Sequence, residues 1–282
     1  FMPIVSSMVS QFCKWLYQSQ KTNWRKNIAS LNYILTSLWE SNTYSHQNPI
    51  FLNHLIDIQQ EFIRIYMPID ANTLLACTEQ CLSSENRINA IIATKQHMPQ
   101  FLDIKSAINC VKNGYIEWEL LSDPKRSIDL VIAGAGDYPT RECHMAANLL
   151  KQYLPDVNLK VLSIVELTCL GNPFLYKHAL NNDKFGNLFP KNTPVVFCFH
   201  GYPTAIKNLL FDRPIGTKFF VMGYNNRSTN STNDLNKMIL NGMSRYDIVL
   251  KACDFLRDKI SVSKIVDIEN DMKKKIGQSL NR

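Results

Sequence analysis

Apolar positions along this chain fall into two kinds of run, short blocks rich in β-branched residues and longer stretches with a helical repeat. Ile4, Val5, Met8, Phe12, Trp15 and Leu16 share one face of a helix over residues 1–17, with Gln11 and Lys14 opposite. Residues 28–36 then read as a strand, 49–58 as a helix and 62–66 as a strand. The run Pro68-Ile-Asp70-Ala-Asn-Thr73 places a stop and a start in succession, and Asp70 is the expected N-cap of a helix to residue 83. A strand over 88–93 delivers Lys95 at its carboxyl end; a helix over 103–111 and a strand over 116–121 follow.

Residues 122–127 (Ser-Asp-Pro-Lys-Arg-Ser) are polar and broken by proline, and beyond them the alternation restarts. The second series has strands over 129–133, 159–165, 195–199 and 219–222, helices over 140–153 and after 203, and one long helix over 231–256. A long connection over 167–192 precedes the third strand. Regular alternation of strand and helix predicts an α/β fold with two doubly wound, mostly parallel sheets in three α/β/α layers. The expected division is a first domain over 1–121, a linker over 122–127, a second domain over 128–260 and a C-terminal helix or tail over 261–282. In that tail Lys273, Lys274 and Lys275 read as a solvated face.

The strand at 195–199 runs into His200-Gly-Tyr-Pro203, and ligands of open α/β sheets bind beyond such carboxyl ends. Against this stands the plainer reading, in which His200 only hydrogen-bonds the turn and Gly201 only permits it. Gly134-Ala-Gly136 after a strand invites a dinucleotide site, but Pro139 stands where the third glycine belongs. These glycines are therefore expected to make a strand-to-helix turn, with Thr140 capping the helix.

Composition narrows the classes. The chain has 282 residues, 45% hydrophobic and 20% charged, and no run of eighteen apolar residues or signal-peptide pattern, so a soluble protein is expected, with no membrane partner. A formal charge of +7 suits anionic ligands; the basic residues are scattered without the clustering a nucleic-acid surface needs. Eight cysteines without a CxxC pair predict reduced thiols and a reducing, cytoplasmic compartment, and Cys77 with Cys81 lacks a histidine partner for a metal. Phe1 already lies on an apolar face with no cap before it, so an earlier natural start is expected.

Several blocks in order resemble one family. Ser45-His-Gln47, Asp70-Ala-Asn-Thr-Leu-Leu75, Lys95-Gln96, Ala133-Gly-Ala-Gly-Asp-Tyr-Pro-Thr140 and Phe199-His-Gly-Tyr-Pro203 resemble the SHQ, DANxLL, KQ, AGDxPT and FHGYP segments of the phosphoketolases. The resemblance implies a transketolase-like arrangement, the later part of a pyrimidine-binding domain followed by a C-terminal domain. In that family thiamine diphosphate, with Mg2+, cleaves xylulose 5-phosphate or fructose 6-phosphate, and inorganic phosphate releases acetyl phosphate. Carried over motif by motif, Asn42, His46 and Lys95 would hold phosphoryl groups, and His46 would also move protons as a catalytic residue. The implied partners are a sugar phosphate, inorganic phosphate, the N-terminal portion of the same protein and a second copy in a homodimer.

Some features depart from the family pattern. Its activating glutamate precedes the segment matching Phe1, and its GDG-containing diphosphate and metal region belongs to an earlier domain. The chain alone is therefore expected to hold no cofactor. The loop from Trp39 to His46 is shorter than the family's DHNG-containing version, lacks the histidine before Asn42 and has Thr43 for a glycine. The alternative to an enzyme is accordingly a catalytically degenerate interaction module on the same fold.

Overall fold

The computed structural model describes residues 2–40, 49–119, 126–215, 218–225 and 233–281. The first sheet has three strands, β1 (Leu31–Thr36), β2 (Ile63–Tyr66) and β3 (Ile88–Ala93), all parallel in the order β1-β3-β2. Central β3 is buried at every position, which is why its sequence Ile-Asn-Ala-Ile-Ile-Ala shows an apolar run rather than alternation. Its one polar residue, Asn89, donates from Nδ2 to Asn32 Oδ1 at 2.7 Å and Ser84 Oγ at 2.9 Å, while its buried Oδ1 has no partner among the described residues. Around the sheet lie α1 (Met2–Gln20), α2 (Ile50–Ile58), α3 (Ala71–Leu82) and α4 (Ile104–Asn113).

Asp70 does cap α3. Its Oδ1 accepts from Thr73 N at 2.8 Å within a full capping box. Its Oδ2 accepts from the backbone N–H groups of Phe101 and Leu102 and from Gln100 Nε2. One carboxylate thus starts a helix and fixes the end of the loop that begins at Lys95.

The second sheet has the order β4-β6-β5-β7-β8, formed by β4 (Tyr115–Glu117), β5 (Leu130–Ala135), β6 (Leu159–Ile164), β7 (Val195–Phe199) and β8 (Phe219–Met222). The last four are mutually parallel. The short strand expected with the first series is β4, and it pairs antiparallel with β6 in the second sheet. Gly114, at φ 86, ends α4 and lets the chain reverse toward that edge. Of the expected linker over 122–127, residues 122–125 lie outside the described residues.

Two helix expectations are corrected. α5 (Asp137–Tyr153) starts at Asp137 behind Gly136, not at a Thr140 cap. Thr140 lies inside the first turn, and its backbone passes so close to Gly134 that a Cβ there would sit 2.9 Å from Thr140 Cα. The Gly-Ala-Gly pattern therefore serves close strand-to-helix packing. The single helix expected over 231–256 is two, α8 (Asp234–Leu240) and α9 (Arg245–Phe255), since Gly242 turns at φ 65 and Ser244 with Asp247 forms a new capping box. α6 (Asn182–Leu188) lies in the long connection, and α7 (Pro203–Leu210) follows β7. The tail is a docked helix, α10 (Val262–Leu280), burying Ile265, Ile268 and Met272, while Lys273 pairs with Glu269 and Lys275 with Asp271.

One apolar cluster runs through both sheets, joining Leu16, Phe51 and Ile65 to Val131, Leu162 and Phe197. The two series are packed as one body. No helix among the described residues is long and apolar enough to cross a membrane.

Candidate functional site

In the second sheet the chain passes from β5 to β6 on one side and from β6 back across to β7 on the other, so the crevice beyond the carboxyl ends of β5 and β7 is where a doubly wound sheet opens for a ligand. Gly136-Asp137 stands at one end and His200 at the other. The crevice is filled by the protein itself. Residues 37–40, leaving β1 of the first sheet, occupy it, and Ser37, Leu38, Trp39 and Glu40 are all buried.

Ser37 Oγ donates to Asp137 Oδ1 at 3.0 Å. The Leu38 N–H reaches His200 Nε2 at 3.4 Å, and Trp39 Nε1 donates to the His200 carbonyl at 3.0 Å. Lys237 of α8 closes the group by donating to the carbonyls of Leu38 at 2.5 Å and Glu40 at 3.1 Å. Gly136, at φ 109, would bring a Cβ within 3.1 Å of His200 Cβ. Gly201 has no left-handed φ; it is needed for room, because a Cβ would lie 3.1 Å from the Phe199 ring and 3.2 Å from Pro49.

Burial controls the charges here. It pushes the Asp137 carboxyl up to about 6, against the hydrogen bonds from Tyr138, Ser37 and Thr94. Burial, with the nearby Lys237 charge, pushes His200 down to about 3, so the imidazole is neutral near pH 7. Because Nε2 accepts from Leu38, the proton belongs on Nδ1, which faces Asp137 Oδ1 at 4.0 Å. Lys237 is lowered by burial, with Glu40 opposing. The His200 side chain is thus a buried, neutral acceptor for the chain leaving β1, and does not hydrogen-bond its own turn.

The open edge lies beside it. β1 and β3 run parallel in register, Thr36 opposite Ala93, so both carboxyl ends open on one side. Lys95 leaves β3 there with its side chain 57% exposed. Its backbone N–H donates to Glu40 Oε1 at 2.5 Å, while Nζ stands 3.9 Å from Glu40 Oε2. A cavity of about 160 Å³ opens at this edge, lined by Thr94, Gln96, His97, Asp70 and Asp137 among others. Asn42 and His46 lie outside the described residues. Lys95 is thus placed at the shared sheet edge, beside the residue from which the 41–48 segment departs.

Residues 1–84 match the sequence model of D-xylulose 5-phosphate/D-fructose 6-phosphate phosphoketolase, and residues 95–281 match that of the XFP C-terminal domain. This chain belongs to the phosphoketolase family. It is 39% identical over 258 residues to probable phosphoketolase 2 of Nostoc sp., covering 90% of this chain and 32% of that protein. With a probable phosphoketolase of Rhodopseudomonas palustris the identity is 40% over 255 residues, 89% of this chain and 32% of the relative. The chain therefore spans about a third of the length of these curated phosphoketolases. Among solved structures, transketolase from Leishmania mexicana is similar in fold, with TM-score 0.61 at 14% identity over 81% of this chain and 30% of that one. A split-gene transketolase described as an inactive beta4 tetramer has TM-score 0.57 at 16% identity, over 82% of this chain and 68% of its own.

The phosphoketolase resemblance implies a metal-diphosphate group. Among the described residues no three His, Cys, Asp or Glu side chains converge as metal ligands. Sequence reasoning missed Glu40, Asp137 and Lys237. The first two carried faint signals, a charged residue directly after Trp39 and an acid directly after a strand-end glycine; for Lys237 there was none, since it arrives from a distant helix.

Proposed function

We propose that this chain is the C-terminal part of a thiamine-diphosphate enzyme that cleaves xylulose 5-phosphate or fructose 6-phosphate with inorganic phosphate, giving acetyl phosphate and an aldose phosphate. Its contribution is the phosphate-facing edge made by Lys95 with Asn42 and His46. The observation that carries this is the bond from Lys95 N–H to Glu40, which holds the exit of β3 against the start of the 41–48 segment. Asn42 follows Glu40 by two positions, and two residues of chain reach at most about 7 Å. An ammonium, an amide and an imidazole are donors, with one fixed charge, of the kinds suited to a phosphoryl group. The cofactor, with its Mg2+, belongs to other parts of a full-length, homodimeric protein.

A second reading, a non-catalytic module on the same fold, is favoured by one feature. Buried Glu40 sits within ion-pair distance of Lys95 and partly offsets the charge that would attract phosphate. Replacing Lys95 by alanine in the full-length protein decides between them. The enzyme reading expects sugar-phosphate and phosphate binding to weaken by roughly 1.5–3 kcal/mol, the scale of a hydrogen bond to a charged group, with the fold intact. Unchanged affinity removes it.

A further inference from the structure

A second cavity, of about 240 Å³, lies where the two sheets join, away from the Lys95 edge. It is several times the about 30 Å³ that a water occupies in the liquid. Arg64 of β2, Arg87 just before β3 and Lys112 near the end of α4 line it, with Glu166 and His178 on the side of the second sheet. None of the three cations forms an ion pair with a carboxylate among the described residues.

The two acids nearby are already engaged. Glu166 Oε1 accepts from Thr168 N at 2.9 Å, Thr168 Oγ1 at 2.5 Å and Ile65 N at 3.3 Å, and its Oε2 is 3.1 Å from His178 Nε2. Burial pushes this carboxyl up, and the His178 and Thr168 hydrogen bonds with the charges of His178 and Arg64 more than reverse that. Glu61 is held by Lys177 at 2.6 Å. Arg64 is only 8% exposed, and its Nη1 donates to the carbonyls of Glu61 and Ile63 at 2.6 and 2.8 Å. Its Nε and Nη2 make no hydrogen bond among the described residues. Burial lowers the Arg64 pKa, Glu166 opposes this, and the Arg87 charge adds to the lowering. The Arg64 Nε and Nη2 donors are not sealed from solvent, and Arg64 lines the cavity together with a second guanidinium, so an anion there would meet spare donors and two positive charges.

We infer that this cavity is an anion site for a phosphate group, free or carried on a small monoester, bound by Arg64, Arg87 and Lys112. Arg64 offers two parallel donors from a fixed guanidinium, the geometry that suits a tetrahedral oxyanion, and Lys112 adds a point charge from the rim. Gln80 and Asn113 supply neutral donors on the wall. The site spans the joint between the sheets, because Met67 N donates to the Val165 carbonyl at 2.7 Å directly beside it. An occupant held by Arg64, Arg87 and Lys112 ties β2 to the start of β3 and the end of α4, and binding raises thermal stability.

The test uses the 282-residue chain carrying Lys95→Ala, so that the phosphate edge proposed above contributes nothing. Calorimetric titration with inorganic phosphate at constant ionic strength is expected to saturate near about 1 mM, with a parallel rise in melting temperature. Adding Arg87→Gln and Lys112→Gln, at half-buried and exposed positions, is expected to weaken binding at least about tenfold, roughly 1.4 kcal/mol. Titration with glycerol phosphate distinguishes a site open to monoesters from one that takes only the free ion. In the Lys95→Ala chain the Arg64 side-chain Nε–H resonance is expected to shift as phosphate is added. Absence of saturable binding, a still Arg64 resonance, or unchanged affinity after the double replacement would overturn the inference.

Discussion

Asp137 and His200, which end two neighbouring parallel strands, face one another with Oδ1 and Nδ1 4.0 Å apart and both side chains buried. The two groups respond oppositely to pH. Asp137 rises from 3.8 to about 6 on folding, so its stabilising contribution is complete below about pH 4 and is lost as pH climbs through 6. His200 falls from 6.5 to about 3, so its contribution is complete above pH 6.5 and is lost as pH drops toward 3. Between about pH 4 and 6 the slopes cancel. Asp137→Asn removes one of them, and the variant's stability should then rise with pH by up to about 1.4 kcal/mol per unit more steeply than the parent's. Urea unfolding midpoints at several pH values measure this; parallel curves would show that the carboxyl titrates normally.

Glycine replacements separate close approach from mere flexibility. A Cβ on Gly223 would lie 2.4 Å from the Gly201 carbonyl oxygen, and Tyr224 N donates to that same oxygen at 2.8 Å. Gly223→Ala should cost about 1–3 kcal/mol or more, since backbone has to move. Gly186, within α6, has nothing within 4 Å of its added Cβ. Gly186→Ala should instead gain about 0.5–1 kcal/mol. Thermal melts of the two variants shifting in the same direction would refute the packing argument.

All eight cysteines are buried, and burial pushes Cys13 and Cys253 up to about 11 and Cys81 and Cys110 up to about 12. Few thiolates exist near neutral pH, and reagent cannot reach them. A thiol-reactive chromophore should label almost nothing in the native chain and eight groups after denaturation. Fewer than eight would reveal a bridge.

The isolated chain should give no saturable heat with thiamine diphosphate and Mg2+, because its sequence holds no GDG segment of the kind that the family uses for the diphosphate and metal. Micromolar binding in such a titration would overturn the assignment of the cofactor site to other parts of the protein.

Local sequence was enough for the strands at 88–93, 195–199 and 219–222 and for the Asp70 cap, because apolar runs and capping residues act over a few neighbours. The family blocks were legible as well, and Lys95 was correctly set at the carboxyl end of β3. The membership of β4 was not. Its three residues carry no mark of direction, and only the reversal at Gly114 and the free edge of β6 place it antiparallel in the second sheet. Nor could sequence tell that the crevice beside His200 is closed. That depends on Ser37 to Glu40 crossing from the other sheet and on Lys237 arriving from α8, contacts separated by about 100 to 200 residues. A residue's type sets what it can bond, whereas desolvation and partners come from whatever the fold brings beside it, and those decided that His200 is structural and that Arg64 is left with donors to spare.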